Sequence, residues 1–157
     1  GNGRGKTTLA IGQALRASSQ SKSVIIIQFL KGNERRELDF LEELDQLDIK
    51  IFRFEKMETC YDQLNEEEQA EEERNILNGL NFARKVIATQ ECDFLVLDEI
   101  LGLLDKHIAT VDMVVGLLKQ KDESMHLILT GNRVDPGILD YVDSVTTITT
   151  LGREQNS

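Results

Sequence analysis

Val24-Ile25-Ile26-Ile27 and Phe94-Leu95-Val96-Leu97 are apolar at every position, and Leu127-Ile128-Leu129 after His126 is a third such run. Short, β-branched runs without alternation predict strands covered on both faces, the signature of a parallel sheet. Ile49 to Phe54 alternates and predicts a further strand, and Val142 to Ile148, rich in Val and Thr, predicts the last. Between them the period becomes helical. Thr8 to Ala17 carries Leu9, Ile11, Gly12, Ala14 and Leu15, a small-residue helix closed by the polar break Ser18 to Ser21. Residues 34–47 place Leu38, Leu41 and Leu44 on one side, and Asn65 to Thr89 places Ile76, Leu80, Ala83 and Ile87 on another, with Asn65 and Glu68 spaced for a capping box. Leu101 to Lys106 and Val111 to Lys121 predict helical cover, Pro136 a short helix, and Met57 to Leu64, without a period, a loop. The tail from Gly152 is expected to be disordered. Strands and helices in alternation specify an α/β fold with a mainly parallel, doubly covered sheet. With 157 residues and no internal repeat, residues 1–157 are expected to form one domain.

Charge narrows the partners. Eighteen Lys and Arg against 28 Asp and Glu give a net charge of −10, which argues against a nucleic-acid backbone as ligand. A small anion needs only local positive charge. The apolar runs are far shorter than the roughly 20 residues of a membrane helix, and no signal-peptide pattern precedes them, so a cytoplasmic protein without a membrane partner is expected. Cys60 and Cys92 stand outside any CxxC or Cys/His cluster and read as reduced thiols. Glu66, Glu67, Glu68, Glu71, Glu72 and Glu73 read as the solvated start of a helix, where negative charge is favoured. His107 and His126 read as capping or core residues.

The chemistry lies at the front of the chain. Gly1-Asn2-Gly3-Arg4-Gly5-Lys6-Thr7-Thr8 is a glycine-rich loop ending in Gly-Lys-Thr-Thr, followed at once by a helical pattern. Glycines let successive N–H groups curl around phosphate oxygens, Lys6 adds a point charge, and the Thr7 hydroxyl suits Mg²⁺. The helix starting near Thr7 turns its positive end toward the same oxygens. This defines a P-loop NTPase-like, RecA-like phosphate site, although Gly1 and Gly5 enclose three residues where four are usual. A buried strand is expected immediately before such a loop. The second half of the site is Asp98-Glu99, delivered by an apolar strand to the sheet edge, where an acid pair anchors Mg²⁺.

These residues together resemble one family, the ATP:corrinoid adenosyltransferases, over nearly the whole chain. The resemblance rests on the phosphate loop with its three-residue gap, Ala14-Leu15-Arg16, Gln28-Phe29-Leu30-Lys31-Gly32, Leu97-Asp98-Glu99-Ile100 and Leu129-Thr130-Gly131. It implies transfer of the 5′-deoxyadenosyl group of ATP to the cobalt of a reduced corrinoid, with release of triphosphate. Cobalt(I) is the nucleophile, so the site must align the 5′ carbon and neutralise the leaving group. By the resemblance, Glu99 is the Mg²⁺ ligand with Asp98 beside it, Arg16 is a basic contact to the nucleotide, and Phe54 and Tyr61 stand where aromatic side chains displace the lower axial ligand of cobalt. A homodimer and a reductase or flavoprotein partner follow in the same way. The chain departs from the family pattern in having no tryptophan and in carrying Asn132, then Arg133, where an arginine directly follows Thr-Gly. Two other readings remain open: a nucleotide-binding regulatory or partner protein without the corrinoid site, and a P-loop ATPase in which Glu99 orients water.

Overall fold

Strands that are apolar on both sides must be covered on both sides, and the topology follows. The computed structural model describes residues 4–29, 48–54, 61–131, 136–139 and 144–147, with side chains for all of these except 4–11, 139 and 144–147. Within them β1 (Val24–Gln28), β2 (Ile49–Arg53), β3 (Phe94–Asp98), β4 (His126–Gly131) and β5 (Ser144–Thr147) form one sheet in the order β2-β1-β3-β4-β5. Every neighbouring pair is parallel.

Alternate side chains of the same strand supply two cores. Ile25, Ile27, Leu95, Leu97, Leu127 and Leu129 face one cluster with Ile76, Leu80, Ala83 and Ile87 of α2 (Glu66–Thr89), Leu101 of α3 (Ile100–Asp105) and Leu117 of α4 (Val111–Leu118). Val24, Ile26, Phe94, Val96 and Ile128 face the other, against Ala14 and Ala17 of α1 (Arg4–Ser19). The small residues of α1 let it lie close on the sheet. A last short helix, α5 (Pro136–Leu139), buries Ile138.

Caps set most of the helix ends. The Asn65 side chain accepts from the Glu68 N–H at 2.8 Å, and Glu68 Oε1 accepts from the Asn65 N–H at 3.1 Å, so the expected capping box is present. Gln90, in the left-handed region at φ 53°, closes the other end of α2, with the Glu91 N–H reaching back to the Val86 carbonyl. His107, at φ 59°, follows the C-cap Lys106 of α3, and the Ile108 N–H reaches back to the Leu103 carbonyl in the same manner. His126 is neither cap nor core: it is exposed at the start of β4 and stacks on Phe94 at 4.9 Å between ring centroids.

Several expectations shift. α1 begins at Arg4 rather than near Thr7, so Gly5, Lys6 and Thr7 belong to its first turn. α4 stops at Leu118 because the Gln120 and Lys121 N–H groups turn back to the carbonyls of Leu117 and Leu118, three residues behind. Tyr61–Gln63 forms one turn of 3-10 helix inside the stretch read as a loop. The glutamate run is not wholly solvated. Glu72 is 2% exposed and accepts from Asn75 Nδ2 at 3.2 Å, because it lies one helical turn before Ile76 on the buried stripe. The helix expected over 34–47, Leu30 to Gly32, Met57 to Cys60, Asn132, Arg133 and the tail from Gly152 lie outside the described residues. Cys92 is buried and unpaired in any disulfide, and burial foremost pushes its thiol up to about 11.

Gly131 shows how tightly α3 sits on β4. A Cβ placed there would collide with Leu101 Cβ and meet Leu101 Cα at 3.1 Å, and neither is the movable end of a side chain. Gly131→Ala is therefore expected to destabilise the fold by roughly 1–3 kcal/mol, the usual cost of overpacking, measured by denaturant titration. A stability equal to the parent's would show that α3 can withdraw freely.

Candidate functional site

Parallel strands end at one edge, and here residues at or next to the ends of four strands meet. Register pairs Gln28 with both Arg53 and Asp98, and pairs Leu97 with Leu129, which sets Thr130 beside Asp98. Their side chains form one continuous hydrogen-bonded row. Arg53 Nε–H donates to Gln28 Oε1 at 3.0 Å, Gln28 Nε2–H to Asp98 Oδ2 at 3.2 Å, and the Thr130 hydroxyl to Asp98 Oδ1 at 2.7 Å. The Glu99 N–H donates to Thr130 Oγ1 at 2.7 Å. Gln28 and Asp98 are each 1% exposed and Thr130 is fully buried. Polar side chains buried this deeply persist only when their hydrogen bonds are made, as these are.

Glu99 departs from the row. Its backbone is left-handed, φ 65° and ψ 19°, where it caps α3. A non-glycine residue in this region is disfavoured by its Cβ and is held there by its surroundings, a condition that concentrates at functional sites. The side chain is half-buried, with Oε1 shielded from solvent. The turn carries Glu99 off the end of β3, while Asp98 stays within the sheet.

The Gly5-Lys6-Thr7 turn comes to this edge as the start of α1. Only Gln20 to Ser23 separate Ser19 from Val24, which ties the end of α1 to the start of β1. Lying on the sheet face and running opposite to the strands, α1 brings Arg4, Gly5, Lys6 and Thr7 to the strand ends. The first four N–H groups of a helix have no acceptor within it, and the helix dipole adds partial positive charge, so this turn is built for an anion. Asn2 and Gly3 lie outside the described residues, and Thr8 is in the second turn. Arg16 does not join the group. It is exposed near the other end of α1, twelve residues beyond Arg4 and thus roughly 18 Å along the axis, which takes it out of reach of phosphates held at the helix start.

The two aromatic candidates are separate. The Phe54 N–H donates to the Gln28 carbonyl at 3.2 Å, which fixes Phe54 at the same sheet edge, two strands from Asp98. Its half-buried ring packs on Phe82 at 5.7 Å and covers Gly79, where a Cβ would meet Phe54 Cγ at 2.7 Å. The Tyr61 hydroxyl donates to Glu73 Oε1 at 2.9 Å, and its carbonyl accepts from Gln69 Nε2 at 3.0 Å. Burial foremost, then the bond to Glu73 and the charges of Glu73 and Asp62, push the phenol up to about 12, so it remains a donor. The anchorage points, Glu73 and Gly79, are roughly 9 Å apart along α2.

Among the described residues no group of three or more His, Cys, Asp or Glu could hold a metal. A hard cation bound at this edge would complete its shell from phosphate oxygens and water, the habit of Mg²⁺ with one or two carboxylates. Gln28, Arg53 and Thr130 were not legible as a unit from spacing alone. The available signal was that each is the polar residue closing an otherwise largely apolar strand.

A parallel α/β sheet, a Gly-Lys-Thr turn opening the helix on its face, and a buried acid at the strand edge together define a P-loop NTPase-like fold. The family model described as ATP:corrinoid adenosyltransferase BtuR/CobO/CobP matches residues 1–155. The chain belongs to that family, and so to the transferases. It is 30% identical over 151 residues to the corrinoid adenosyltransferase of Escherichia coli strain K12, covering 93% of this chain and 71% of that protein. It is 28% identical over 149 residues to the corrinoid adenosyltransferase CobA of Salmonella typhimurium strain LT2, with the same coverage. With the corrinoid adenosyltransferase of Pseudomonas aeruginosa the identity is 26% over 152 residues. No helix among the described residues is long and apolar enough to cross a membrane.

Proposed function

We propose that this protein transfers the 5′-deoxyadenosyl group of ATP to the cobalt of a reduced corrinoid and releases triphosphate. The observation that carries the reading is the family match along residues 1–155, and the meeting of the Gly5-Lys6-Thr7 turn with Asp98 and Glu99 at one sheet edge supports it. The attacking electron pair is cobalt's own, so the protein supplies no base. Its tasks are to hold the 5′ carbon in line and to neutralise charge growing on the leaving triphosphate. Asn2, Gly3, Arg4, Gly5 and Thr8 contribute backbone to the phosphate cradle, and Lys6 adds its positive charge. Thr7 and Glu99 would hold Mg²⁺, with Asp98 anchored behind them. The ion supplies Lewis acidity toward the phosphate oxygens when bound. Cobalt must first gain an electron, so the partner is a reductase or flavoprotein, and we place the reaction in a cytoplasmic homodimer.

Anaerobic incubation with ATP, Mg²⁺ and chemically reduced cobalamin tests this directly. The spectrum of the adenosylated product together with free triphosphate is the expected result. ADP and phosphate in their place would identify an ATPase, and nucleotide binding without turnover a regulatory protein.

Phe54 and Tyr61 are proposed to serve the corrinoid side. Alanine at either position is expected to leave ATP affinity within about twofold while lowering transfer by roughly tenfold or more, the separation that an interaction made only in the transition state produces. Parallel losses of affinity and transfer, with Phe54 so firmly packed on α2, would assign both rings to structure.

A further inference from the structure

Resting on that reading, we infer that Thr130 is the positioning residue of the acid pair, its one hydroxyl setting both the left-handed backbone of Glu99 and the orientation of the Asp98 carboxylate. The direction of every proton in the row is determined. Arg53 can only donate, so Gln28 must turn Oε1 toward it and Nε2–H toward Asp98. The Glu99 N–H can only donate, so Thr130 Oγ1 accepts there and its single proton goes to Asp98. Asp98 therefore offers both oxygens as acceptors and is held from two sides, by β1 and by β4. Glu99 has its backbone fixed through the same hydroxyl. Asp98, held within the sheet by both neighbouring strands, serves as the anchor, and Glu99, turned off the strand end, serves as the ligand. Partners of this kind orient the residues that touch the metal, and losing one typically costs about 10-fold to 100-fold in metal affinity.

The test is Thr130→Val and Thr130→Ser, compared with the parent by calorimetric ATP titration across Mg²⁺ concentrations and again in chelator. Valine keeps the volume and the strand propensity and deletes both side-chain bonds, whereas serine keeps the hydroxyl. Thr130→Val is expected to raise the Mg²⁺ midpoint by about tenfold or more, the scale for losing a residue behind a metal ligand. Its metal-free ATP affinity should remain at the parent value, and Thr130→Ser should restore the midpoint. An unchanged midpoint in Thr130→Val, a serine variant as impaired as the valine one, or an equal loss in chelator would each overturn the assignment. Should Thr130→Val fail to fold, Thr130→Cys carries the test, because a thiol donates and accepts weakly in a similar volume. Its midpoint should exceed that of Thr130→Ser, and equality would overturn the inference. Failure of the parent itself to bind ATP in a Mg²⁺-dependent way would sink the proposed function instead, and it is seen before any variant is made.

Discussion

Glu99→Gln is expected to lower adenosyl transfer by roughly 100-fold to 1,000-fold, on the scale of removing one preorganised electrostatic contact to charge developing in the transition state. The substitution keeps side-chain length and needs no new backbone geometry, since glutamine meets the same cost as glutamate at φ 65°. Only the charge is lost. ATP affinity in chelator should be unchanged while the Mg²⁺ requirement rises, which single-turnover rates across a metal titration would show. Glu99→Gly provides the complementary case: it relieves the left-handed backbone, so it should be at least as stable as the parent to denaturant and yet poorly active. An active Glu99→Gln protein would remove Glu99 from metal binding and leave Asp98 as the candidate.

Lys6→Ala should weaken ATP binding by about 10-fold to 100-fold, since a hydrogen bond to a charged group contributes roughly 1.5–3 kcal/mol and each 1.4 kcal/mol is tenfold. The loss should appear with and without Mg²⁺, which distinguishes it from changes at Glu99 and Thr130. Because Lys6 lies in the first turn of α1 while the buried contacts Ala14 and Ala17 lie two to three turns further on, the melting temperature should hardly move. Calorimetry on the folded variant decides the matter: undiminished binding would mean that the first turn of α1 does not hold the polyphosphate. The same outcome would undercut the family reaction as proposed.

The strands were legible because burial on both faces leaves no choice of residue: Val24 to Ile27 and Phe94 to Leu97 admit no polar side chain without loss of a core contact. The long helix was legible down to its cap, since Asn65, Glu68 and the stripe from Ile76 to Ile87 are local in sequence. The Gly5-Lys6-Thr7 turn and the Asp98-Glu99 pair stood out because glycine, lysine and paired carboxylates are types that the proposed chemistry requires. Glu72 was misread, since its type says surface and only its phase on the helix says core. Arg16 was placed with the nucleotide by resemblance, and the length of α1 sets it twelve residues beyond Arg4, away from the turn that opens the helix.

What the chain decides by itself is the alternation of elements and the identity of the groups proposed to face phosphate, because both depend on neighbours a few residues apart. What the tertiary structure alone decides is which strand end stands beside which. Gln28 and Asp98 are 70 residues apart and Asp98 and Thr130 are 32, yet the parallel register brings each pair within one hydrogen bond. No local pattern encodes that distance. It is set when the strands are packed side by side, and with it come the buried row behind Asp98, the left-handed turn at Glu99 and the glycine that lets α3 close over them.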